Sequence, residues 1–292
     1  MTTDVRFRGP ADLHLHSSRS DGTEHPADVI TAAHVHGLRT VSLTDHDTTT
    51  GWSEAATRTR ELGMTLIPGM ELSTRYQWQS IHMLAYLFDP DDAALLAETE
   101  RIRADRLGRA ERIVGNIAAD YALTWDDVLA QRLEDATIGR PHIADALIAR
   151  GIVRDREEAF AGILHPRTGY TVPLYSPDPR DAVRLIRDAG GVPIMAHPAP
   201  HGRAGMLPIP VLEELIAVGL AGFEIDHREN TADGKRALRA LVKRHGLIVT
   251  GSSDYHGTGK PNRPGENTTT DENVAAIINE GSGTAPVYPP DA

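Results

Sequence analysis

Two histidines one residue apart, at the end of a short apolar strand, constrain this chain more than any other feature. Residues 11–16 read Ala-Asp-Leu-His-Leu-His. Because side chains of a β-strand alternate between its faces, His14 and His16 point to one side and the leucines point to the other, into a core. Neutral imidazole binds zinc, iron, manganese and similar ions. The segment therefore predicts a strand that presents a pair of metal ligands, with two surface or hydrogen-bonded histidines as the alternative.

The composition restricts the kinds of site that the chain can hold. It has 292 residues, of which 40% are hydrophobic and 24% charged, enough for one large barrel or two domains. It has no cysteine, which excludes disulfides, iron-sulfur clusters and cysteine nucleophiles, so any metal must be bound by nitrogen and oxygen. This composition fits the reducing cytoplasm best, and we expect a cytoplasmic protein.

Hydropathy argues against a membrane partner, and net charge argues against extended binding to nucleic acid. The N-terminal segment has no apolar stretch of the signal-peptide type, and no window approaches the roughly 20 apolar residues of a membrane span. The formal net charge of -11 argues against long non-specific contact with nucleic acid, although it is compatible with a local basic patch. The sequence therefore predicts no membrane partner, and it specifies no oligomeric state.

Strands and helices alternate over two parts of the chain. Predicted strands cover residues 11–16, 39–44, 65–68, 80–88, 192–196, 222–225 and 247–250. Predicted helices cover residues 27–36, 52–62, 179–189, 210–218 and 234–245, with a short one at 273–278. Seven parallel strands alternating with helices predict the α/β class, as a distorted (β/α)7 barrel similar to the TIM barrel.

Residues 89–177 interrupt this alternation, because they show helical periodicity and little strand signal. We predict the first part of the barrel at residues 1–88, a helical insertion that covers the substrate at 89–177, and the second part of the barrel with a C-terminal tail at 178–292. Insertion helices are also predicted near 124–131, 140–150 and 155–162. Five arginines of the insertion are interpreted as a solvated face that pairs with acidic neighbours, and they are Arg101, Arg103, Arg106, Arg109 and Arg112.

Polar residues at the strand ends are the second strong signal. In a parallel barrel the active site lies at the carboxyl ends of the strands. Six histidines and three carboxylates lie at or near such ends, and they are His14, His16, Asp21, His46, Glu71, His82, His197, Asp254 and His256. A single histidine at one of these places is usually structural, but nine such residues at one mouth indicate a metal site.

Five motifs closely resemble those of the PHP family (polymerase and histidinol phosphatase), in its phosphoesterase branch. They are Asp-Leu-His-Leu-His-Ser at 12–17, Thr-Asp-His-Asp at 44–47, Pro-Gly-Met-Glu at 68–71, Ala-His-Pro at 196–198 and Ser-Asp-Tyr-His-Gly at 253–257. The insertion segment Ile-Gly-Arg-Pro-His-Ile-Ala at 138–144 resembles that of family members that remove phosphate from nucleotides. The resemblance covers both barrel parts and implies a PHP barrel.

The resemblance also implies a centre of three divalent metal ions, expected to be Mn²⁺, with Fe or Zn as alternatives. Carried over motif by motif, the first ion takes His14, His16, Glu71 and Asp254, which are also the residues assigned to catalysis. The second ion takes Glu71 as a bridge, His82 and His197, and the third takes Asp21, His46 and His256. Some relatives have histidine at the position of Asp21, which bears on the metal preference of the third site.

A hydroxide activated by these metals is the expected nucleophile. Bound divalent ions lower the pKa of water and polarise phosphoryl oxygens. The charge of three divalent ions, less that of three carboxylates, is balanced by a phosphate monoester dianion and one hydroxide. The absence of cysteine, of a GxSxG motif and of a P-loop sequence agrees with metal-activated water as the attacking group.

Four further residues are candidates for substrate contact. By the family resemblance, Arg140 is the first choice for a contact with a substrate phosphate, because guanidinium forms paired hydrogen bonds with phosphate oxygens. His201 and Arg203 follow the fifth predicted strand and His227 follows the sixth, so they are candidates to line the mouth.

The sequence therefore predicts a phosphoesterase that hydrolyses phosphate monoesters of nucleotides. The resemblance of the insertion implies a 3',5'-nucleotide bisphosphate, or a short oligonucleotide attacked from an end, as the substrate. Three alternatives stay open: a histidinol-phosphate phosphatase, a metal-binding module without turnover, and a hydrolase of C–N bonds. The complete ligand set counts against the second, and the lack of a clear strand-end lysine to bridge metals counts against the third.

Overall fold

The computed structural model describes residues 9–131, 138–202 and 205–290, which form two β-sheets with helices packed around them. The first sheet is parallel and contains, in order, β1 (Ala11–Leu15), β2 (Thr40–Leu43) and β3 (Thr65–Leu66). Helices α1 (Pro26–Val35) and α2 (Trp52–Glu61) make its two crossovers. This sheet follows the predicted alternation of strand and helix.

The second sheet has five strands and mixed direction. Its order is β4 (Gly69–Tyr76), β5 (Gln79–Tyr86), β6 (Val192–Met195), β7 (Gly222–Asp226) and β8 (Ile248–Gly251). Strand β5 runs antiparallel to both β4 and β6, whereas β6, β7 and β8 are parallel. The helices that accompany these strands are α7 (Pro179–Asp188), α8 (Ile209–Ala217), α9 (Ala232–His245) and α10 (Asp271–Glu280).

The predicted seven-stranded barrel is not confirmed. The described residues form eight strands, and β4 is a strand that the prediction omitted. In the described part of the chain the two sheets meet through isolated bridges, Leu15 with Tyr255 and His46 with Glu71, and no ladder closes them into a barrel. The physical reason is the β4–β5 hairpin, which reverses the chain and places β5 antiparallel to both neighbours. The fold is therefore a mixed α/β fold that includes parallel strands.

The predicted helices are confirmed to within two residues at each end. Helices α7, α9 and α10 begin at capping side chains. The Thr231 side chain accepts a hydrogen bond from the backbone N–H of Gly234 at the start of α9, and Gly246 ends this helix with a left-handed φ of 67°. Asp178 and Thr270 cap α7 and α10 in the same way. Local capping chemistry thus fixes where these helices begin and end.

Apolar clusters cover both faces of the five-stranded sheet. Phe223 and Ile225 of β7 are buried in the main core, together with residues of α7, α8 and α9. Leu84 of β5 and Ile194 of β6 are buried in a second cluster, which includes Ile277 of α10. Polar side chains that lie within this sheet are therefore taken out of water, and they need charged or hydrogen-bonding partners.

Four helices lie between β5 and α7 in the chain. They are α3 (Ala93–Ile117), α4 (Trp125–Leu129), α5 (Arg140–Ala149) and α6 (Arg156–Ala161). The first half of α3 packs on the main core through Leu95 and Ile102, and its second half packs on a separate cluster of insertion residues through Ile113 and Ile117. Helix α3 therefore links the insertion to the sheet. The exact domain boundaries near residues 89 and 177 stay a prediction.

The prediction that five arginines of α3 form one solvated face is wrong in part. Arg101 and Arg112 are exposed. Arg106, in contrast, has only 12% of its side chain exposed and pairs with Asp47 of the sheet region. Arg109 is half-buried and donates to the backbone carbonyl of Val172. None of the helices in the described ranges has the length and apolar character that crossing a membrane requires.

Candidate metal centre

Strand β1 carries His14, and His16 follows its last residue, so both histidines of the HxH motif lie in a buried cluster. Neither His14 nor His16 has exposed surface. Leu13 and Leu15 pack in apolar clusters, as the alternation of the strand predicts. The Nε2 atoms of the two histidines lie 3.0 Å apart. Two imidazoles therefore converge on one point.

Glu71 and Asp254 complete a first group of donor atoms around this point. Glu71 lies in β4, and its Oε2 atom is 3.2 Å from His14 Nε2 and 3.1 Å from His16 Nε2. Asp254 follows β8, and its Oδ1 atom is 3.5 and 3.3 Å from the same two nitrogens. These donors lie within 4.8 Å of one another, a spacing that suits a single metal ion.

The carboxylate of Glu71 lies between two sets of histidines. Its Oε2 atom faces the HxH pair and also His46, whose Nδ1 atom is 3.2 Å away. Its Oε1 atom faces His82 Nδ1 at 2.8 Å and His197 Nε2 at 3.4 Å. Glu71, His46 and His82 form a second compact donor group, and His197 lies beside it, close to Glu71 and His82. Glu71 is therefore placed to bridge two ions.

Asp21 gathers a third group, with His16, His46 and His256. Its Oδ1 atom lies 3.2 Å from His256 Nε2 and 3.7 Å from His16 Nδ1. Its Oδ2 atom lies 3.8 Å from His46 Nε2. All nine predicted ligand residues thus lie in one cluster, while the assignment of each residue to a particular ion stays a prediction.

Unpartnered ring nitrogens test whether this cluster fits metal ions. Three buried histidine nitrogens make no hydrogen bond of suitable geometry with the described residues. They are Nδ1 of His46 and Nε2 of His256, each 3.2 Å from a carboxylate oxygen, and Nε2 of His227. Buried polar atoms without a partner are uncommon, and each requires an explanation. Imidazole nitrogens beside carboxylate oxygens are suitable ligands for zinc, iron and manganese. The residues present therefore fit the metal ions that the sequence predicts.

Glu224 of β7 is a site residue that the sequence analysis missed. It is fully buried, and its Oε1 atom is hydrogen-bonded to Nδ1 of His14 at 2.9 Å. Its Oε2 atom accepts a bond of 2.9 Å from the backbone N–H of His197. With Nδ1 held by a carboxylate, His14 presents Nε2 to the other donors. The available signal was a carboxylate in the middle of an apolar strand.

Three residues of the cluster region have left-handed backbone conformations. Their φ angles are 55° at Asp47, 26° at His197 and 54° at Asp254. Such conformations cost about 1–3 kcal/mol each for residues other than glycine, and they persist only where the surroundings hold them. At Asp254 one such contact is with Lys260, whose Nζ atom donates to Oδ2 at 2.7 Å. The sequence analysis missed Lys260, because it does not follow a strand directly.

When no metal is bound, the electrostatics of the cluster favour an ionised Glu71 beside a protonated His16, whereas burial lowers the pKa of His46 and of His256. Burial alone would raise the pKa of Glu71, but His46 and His82 hold it well below its usual range. Burial alone would lower the pKa of His16, but Asp254 and Glu71 outweigh it and raise that pKa to about 9. Metal binding at these residues therefore displaces protons.

The predicted substrate contacts lie in different environments. His227 is fully buried beside His14 and His197, at ring-centroid distances of 6.5 and 5.4 Å. It therefore belongs to the wall of the cluster. His201 is exposed in the segment after β6. Arg203 lies outside the described residues.

Arg140, at the start of α5, lies in a group of arginines with Arg75, Arg106 and Arg109. Burial lowers the pKa of Arg140, and the nearby charges of Arg106 and Arg75 lower it further. Burial together with Arg140 and Arg106 lowers the pKa of Arg109 to about 9. Among the described ion pairs, only Arg106 of these four has a carboxylate partner, which is Asp47. Cations grouped without matching carboxylates favour an anionic ligand.

Comparison with known proteins identifies relatives of the chain. The family model for the PHP domain matches residues 12–116. A 3',5'-nucleoside bisphosphate phosphatase of Chromobacterium violaceum is 32% identical over 254 residues, which cover 86% of this chain and 89% of the relative. A 5'-3' exoribonuclease of Haemophilus influenzae is 30% identical over 84% of this chain and 89% of the relative. A solved structure from Bifidobacterium adolescentis, described as a metal-dependent phosphoesterase, matches with a TM-score of 0.90 at 40% identity, over 94% of this chain and 98% of that chain.

We expect the metal-free protein to lose stability as the pH rises from 7 to 9. The pKa of His16 is raised to about 9, and those of His14 and His197 are also raised. A group whose pKa is raised on folding stabilises the fold fully below its unfolded pKa, and this contribution disappears as the pH passes the folded pKa. Thermal unfolding of the metal-free protein should therefore show a falling midpoint across this range. Glu71→Gln, which removes one of the carboxylates responsible, should show a flatter profile, and a constant or rising wild-type midpoint would contradict the expectation.

Proposed function

The chain belongs to the PHP domain family, and from this premise we propose that it is a metal-dependent phosphoesterase that hydrolyses phosphate monoesters of nucleotides. The observation that carries the proposal is the carboxylate of Glu71, which has different histidines on its two oxygens. A shared carboxylate among nitrogen and oxygen donors suits a cluster of divalent ions more than an isolated structural ion.

We propose that the site binds three divalent ions, preferably Mn²⁺, with Fe or Zn as alternatives. His14, His16, Glu71 and Asp254 would hold the first ion. Glu71, His82 and His197 would hold the second, and Asp21, His46 and His256 would hold the third. When bound, such ions lower the pKa of water at the site and polarise the phosphoryl oxygens of the substrate.

The protein's own contribution is to fix these donors and to leave one side open. Glu224 holds the ring of His14 from behind, through the 2.9 Å contact with Nδ1. The side chains of His14 and Glu71 are 0% and 2% exposed, whereas those of His82 and His197 are 24% and 19% exposed. A phosphate monoester therefore reaches the cluster from the side of His82 and His197. Donors held in advance on rigid strands need little rearrangement during the reaction.

The group formed by Arg75, Arg106, Arg109 and Arg140 supports the proposed substrate class. Arg75, Arg109 and Arg140 have no carboxylate partner among the described ion pairs, and Nε of Arg75 is buried without any partner. A second phosphate on the substrate would supply the missing negative charge. The relatives named as a bisphosphate phosphatase and an exoribonuclease support the same class. We therefore propose a 3',5'-nucleotide bisphosphate, or a short oligonucleotide attacked from an end, as the substrate.

The proposal assigns different tasks to the parts of the chain. The two sheets perform the chemistry, and the helical insertion at residues 89–177 covers the substrate and contributes Arg140. His201, His227 and Arg203 stay predicted substrate contacts. The absence of cysteine supports the cytoplasm as the compartment in which the enzyme works.

A screen for phosphate release tests the proposed function directly. Mn²⁺-loaded protein is incubated with nucleotides, 3',5'-bisphosphates, histidinol phosphate, sugar phosphates and an aryl phosphate. We expect the fastest phosphate release from a bisphosphate, and no release by Glu71→Gln, because this variant lacks the bridging carboxylate. Faster turnover of histidinol phosphate would reassign the substrate. Turnover of amides with none of any phosphate ester would refute the proposal.

The proposed cluster predicts close to three metal ions per chain. Purified protein is loaded with Mn²⁺, freed from excess metal, and analysed for its metal content and for activity in the same sample. Asp21→Ala should lower the content by about one ion, because in the proposed assignment Asp21 serves the third ion alone. A fully active sample with one ion per chain would contradict the three-ion centre.

Arg140→Ala should separate recognition from chemistry. If Arg140 binds the second phosphate of a bisphosphate, its loss removes a charge-assisted contact of about 1.5–3 kcal/mol, or roughly 10- to 100-fold in kcat/KM. An aryl phosphate lacks the second phosphate, so its kcat/KM should change by no more than a few-fold. Arg154→Ala is a matched control, because this insertion arginine has 83% of its side chain exposed. Equal losses on both substrates in Arg140→Ala would place Arg140 on the scissile phosphate or in the fold.

A further inference from the structure

Two aspartates that flank His46 connect the end of β2 to the rest of the cluster. Asp45 accepts hydrogen bonds from the Ser17 backbone N–H at 2.8 Å and from the Ser20 hydroxyl at 2.6 Å, and it thereby fixes the loop that carries Asp21. Asp47, on the other side of His46, turns toward β4. Asp45 thus connects the loop of Asp21 to the end of β2, and Asp47 connects strand β4 to the same place.

Asp47 joins His46 to the strand that carries Glu71. Its backbone N–H donates to the carbonyl of Glu71 at 3.1 Å. Its carboxylate accepts from the Ser73 backbone N–H at 2.7 Å and from the Ser73 hydroxyl at 2.8 Å. Asp47 is adjacent to His46 in sequence, and Ser73 is two residues beyond Glu71 on the same face of β4. This set of contacts therefore fixes the distance between two proposed metal ligands.

Arg106 is the contribution of the insertion to this junction. It lies in α3, and its Nε atom donates to Asp47 Oδ2 at 2.9 Å. Its Nη2 atom donates to the hydroxyl of Ser73. The Asp47 side chain is 0% exposed and that of Arg106 is 12% exposed, so the ion pair is nearly dry. Within the described part of the chain, Arg106 is the one cation in ion-pair distance of Asp47.

These contacts make the position of Asp47 depend on the insertion. A carboxylate without exposed surface is costly when it has no cationic partner, because burial removes its hydration. Asp47 also has a left-handed φ of 55°, which its hydrogen bonds must maintain. Without Arg106, the backbone beside His46 would be free to relax toward an arrangement that lets Asp47 reach water.

We propose that Arg106 is a positioning residue that couples docking of helix α3 on the sheet to the geometry of the metal centre. The planar guanidinium holds Asp47 and Ser73 together, and through them it sets His46 against Glu71. The proposal rests on the metal centre described under the proposed function, and it adds a role for the insertion that is separate from substrate contact.

The coupling acts in both directions, as linkage requires. If docking of α3 improves the metal ligands, bound metal must stabilise the docked position of α3 by the same factor. A purely structural ion pair between Arg106 and Asp47 would stabilise the fold equally with and without metal. The metal dependence of α3 docking is therefore the property that distinguishes positioning from structure.

The first measurement is Mn²⁺ affinity, by competition between the metal-free protein and a chromogenic chelator. Arg106→Gln removes the charge and the forked contact, and Arg112→Gln is the matched control on the same helix, since that side chain is 55% exposed. Loss of a residue that supports metal ligands typically lowers metal affinity about 10- to 100-fold. We expect a loss of about 10-fold or more in Arg106→Gln and a change of less than about twofold in Arg112→Gln. Arg106→Lys keeps the charge without the fork, and it should fall between the two.

The second measurement is amide hydrogen exchange of residues 93–117. Mn²⁺ should slow this exchange in the wild type and in Arg112→Gln, but it should have little effect in Arg106→Gln. Wild-type affinity in Arg106→Gln, or equal losses in both glutamine variants, would overturn the proposal. If Arg106→Gln does not fold, the same two measurements are made on Arg106→Lys. Wild-type Mn²⁺ affinity in Arg106→Lys, together with wild-type slowing of amide exchange by Mn²⁺, would then overturn the proposal.

These outcomes are independent of the proposed substrate. Both measurements use the metal alone, so a protein that binds Mn²⁺ but releases phosphate from no ester would refute the proposed function and leave the coupling intact. Conversely, an active phosphoesterase in which Arg106→Gln binds Mn²⁺ with wild-type affinity and protection would retain its proposed function and lose the coupling.

Discussion

The shared carboxylate of Glu71 is the constraint on which the rest of this structure depends. It is buried on β4, the edge strand of the five-stranded sheet, and the histidines around it offset the cost of burying its charge. Those histidines come from β1, from the end of β2, from β5 and from the segment after β6. The two sheets must therefore hold a fixed relative position, although in the described residues no strand ladder joins them.

Much of this arrangement could be predicted from the sequence, because the informative signals are local. Helix ends follow from caps such as Thr231 and Gly246, and the HxH pair follows from the period of a strand. The missed strand β4 shows the limit of such reasoning. Its first six residues are all buried and its last two are both half-buried, so no period-two pattern marks it. Without β4, the antiparallel hairpin is not recognised, and the remaining strands predict a parallel barrel.

Residues whose roles depend on distant partners could not be predicted in this way. A helical projection of α3 places Arg106 on the side of Ile102 and Ile113 and Arg112 about 120° away. In the structure Arg106 is largely buried against Asp47 and Arg112 is exposed. The projection does not show the partner of Arg106, because Asp47 is 59 residues away in the chain. Glu224 is similar, since its partner His14 is 210 residues away in the chain. Contacts of this kind are determined by topology and become visible only in the folded protein.

Strand β4 also fixes the distances between three functional regions of the molecule. Its residues Glu71, Ser73 and Arg75 share one face, and they serve in turn the ligand cluster, the junction with α3 and the arginine group. Since a strand rises about 3.3 Å per residue, the backbones of Glu71 and Arg75 are roughly 13 Å apart. That span is set by extended backbone with paired hydrogen bonds, which can neither stretch nor contract. The separation between the proposed reacting and anchoring groups is thus built into the pleat of one strand, where a loop would have left it adjustable.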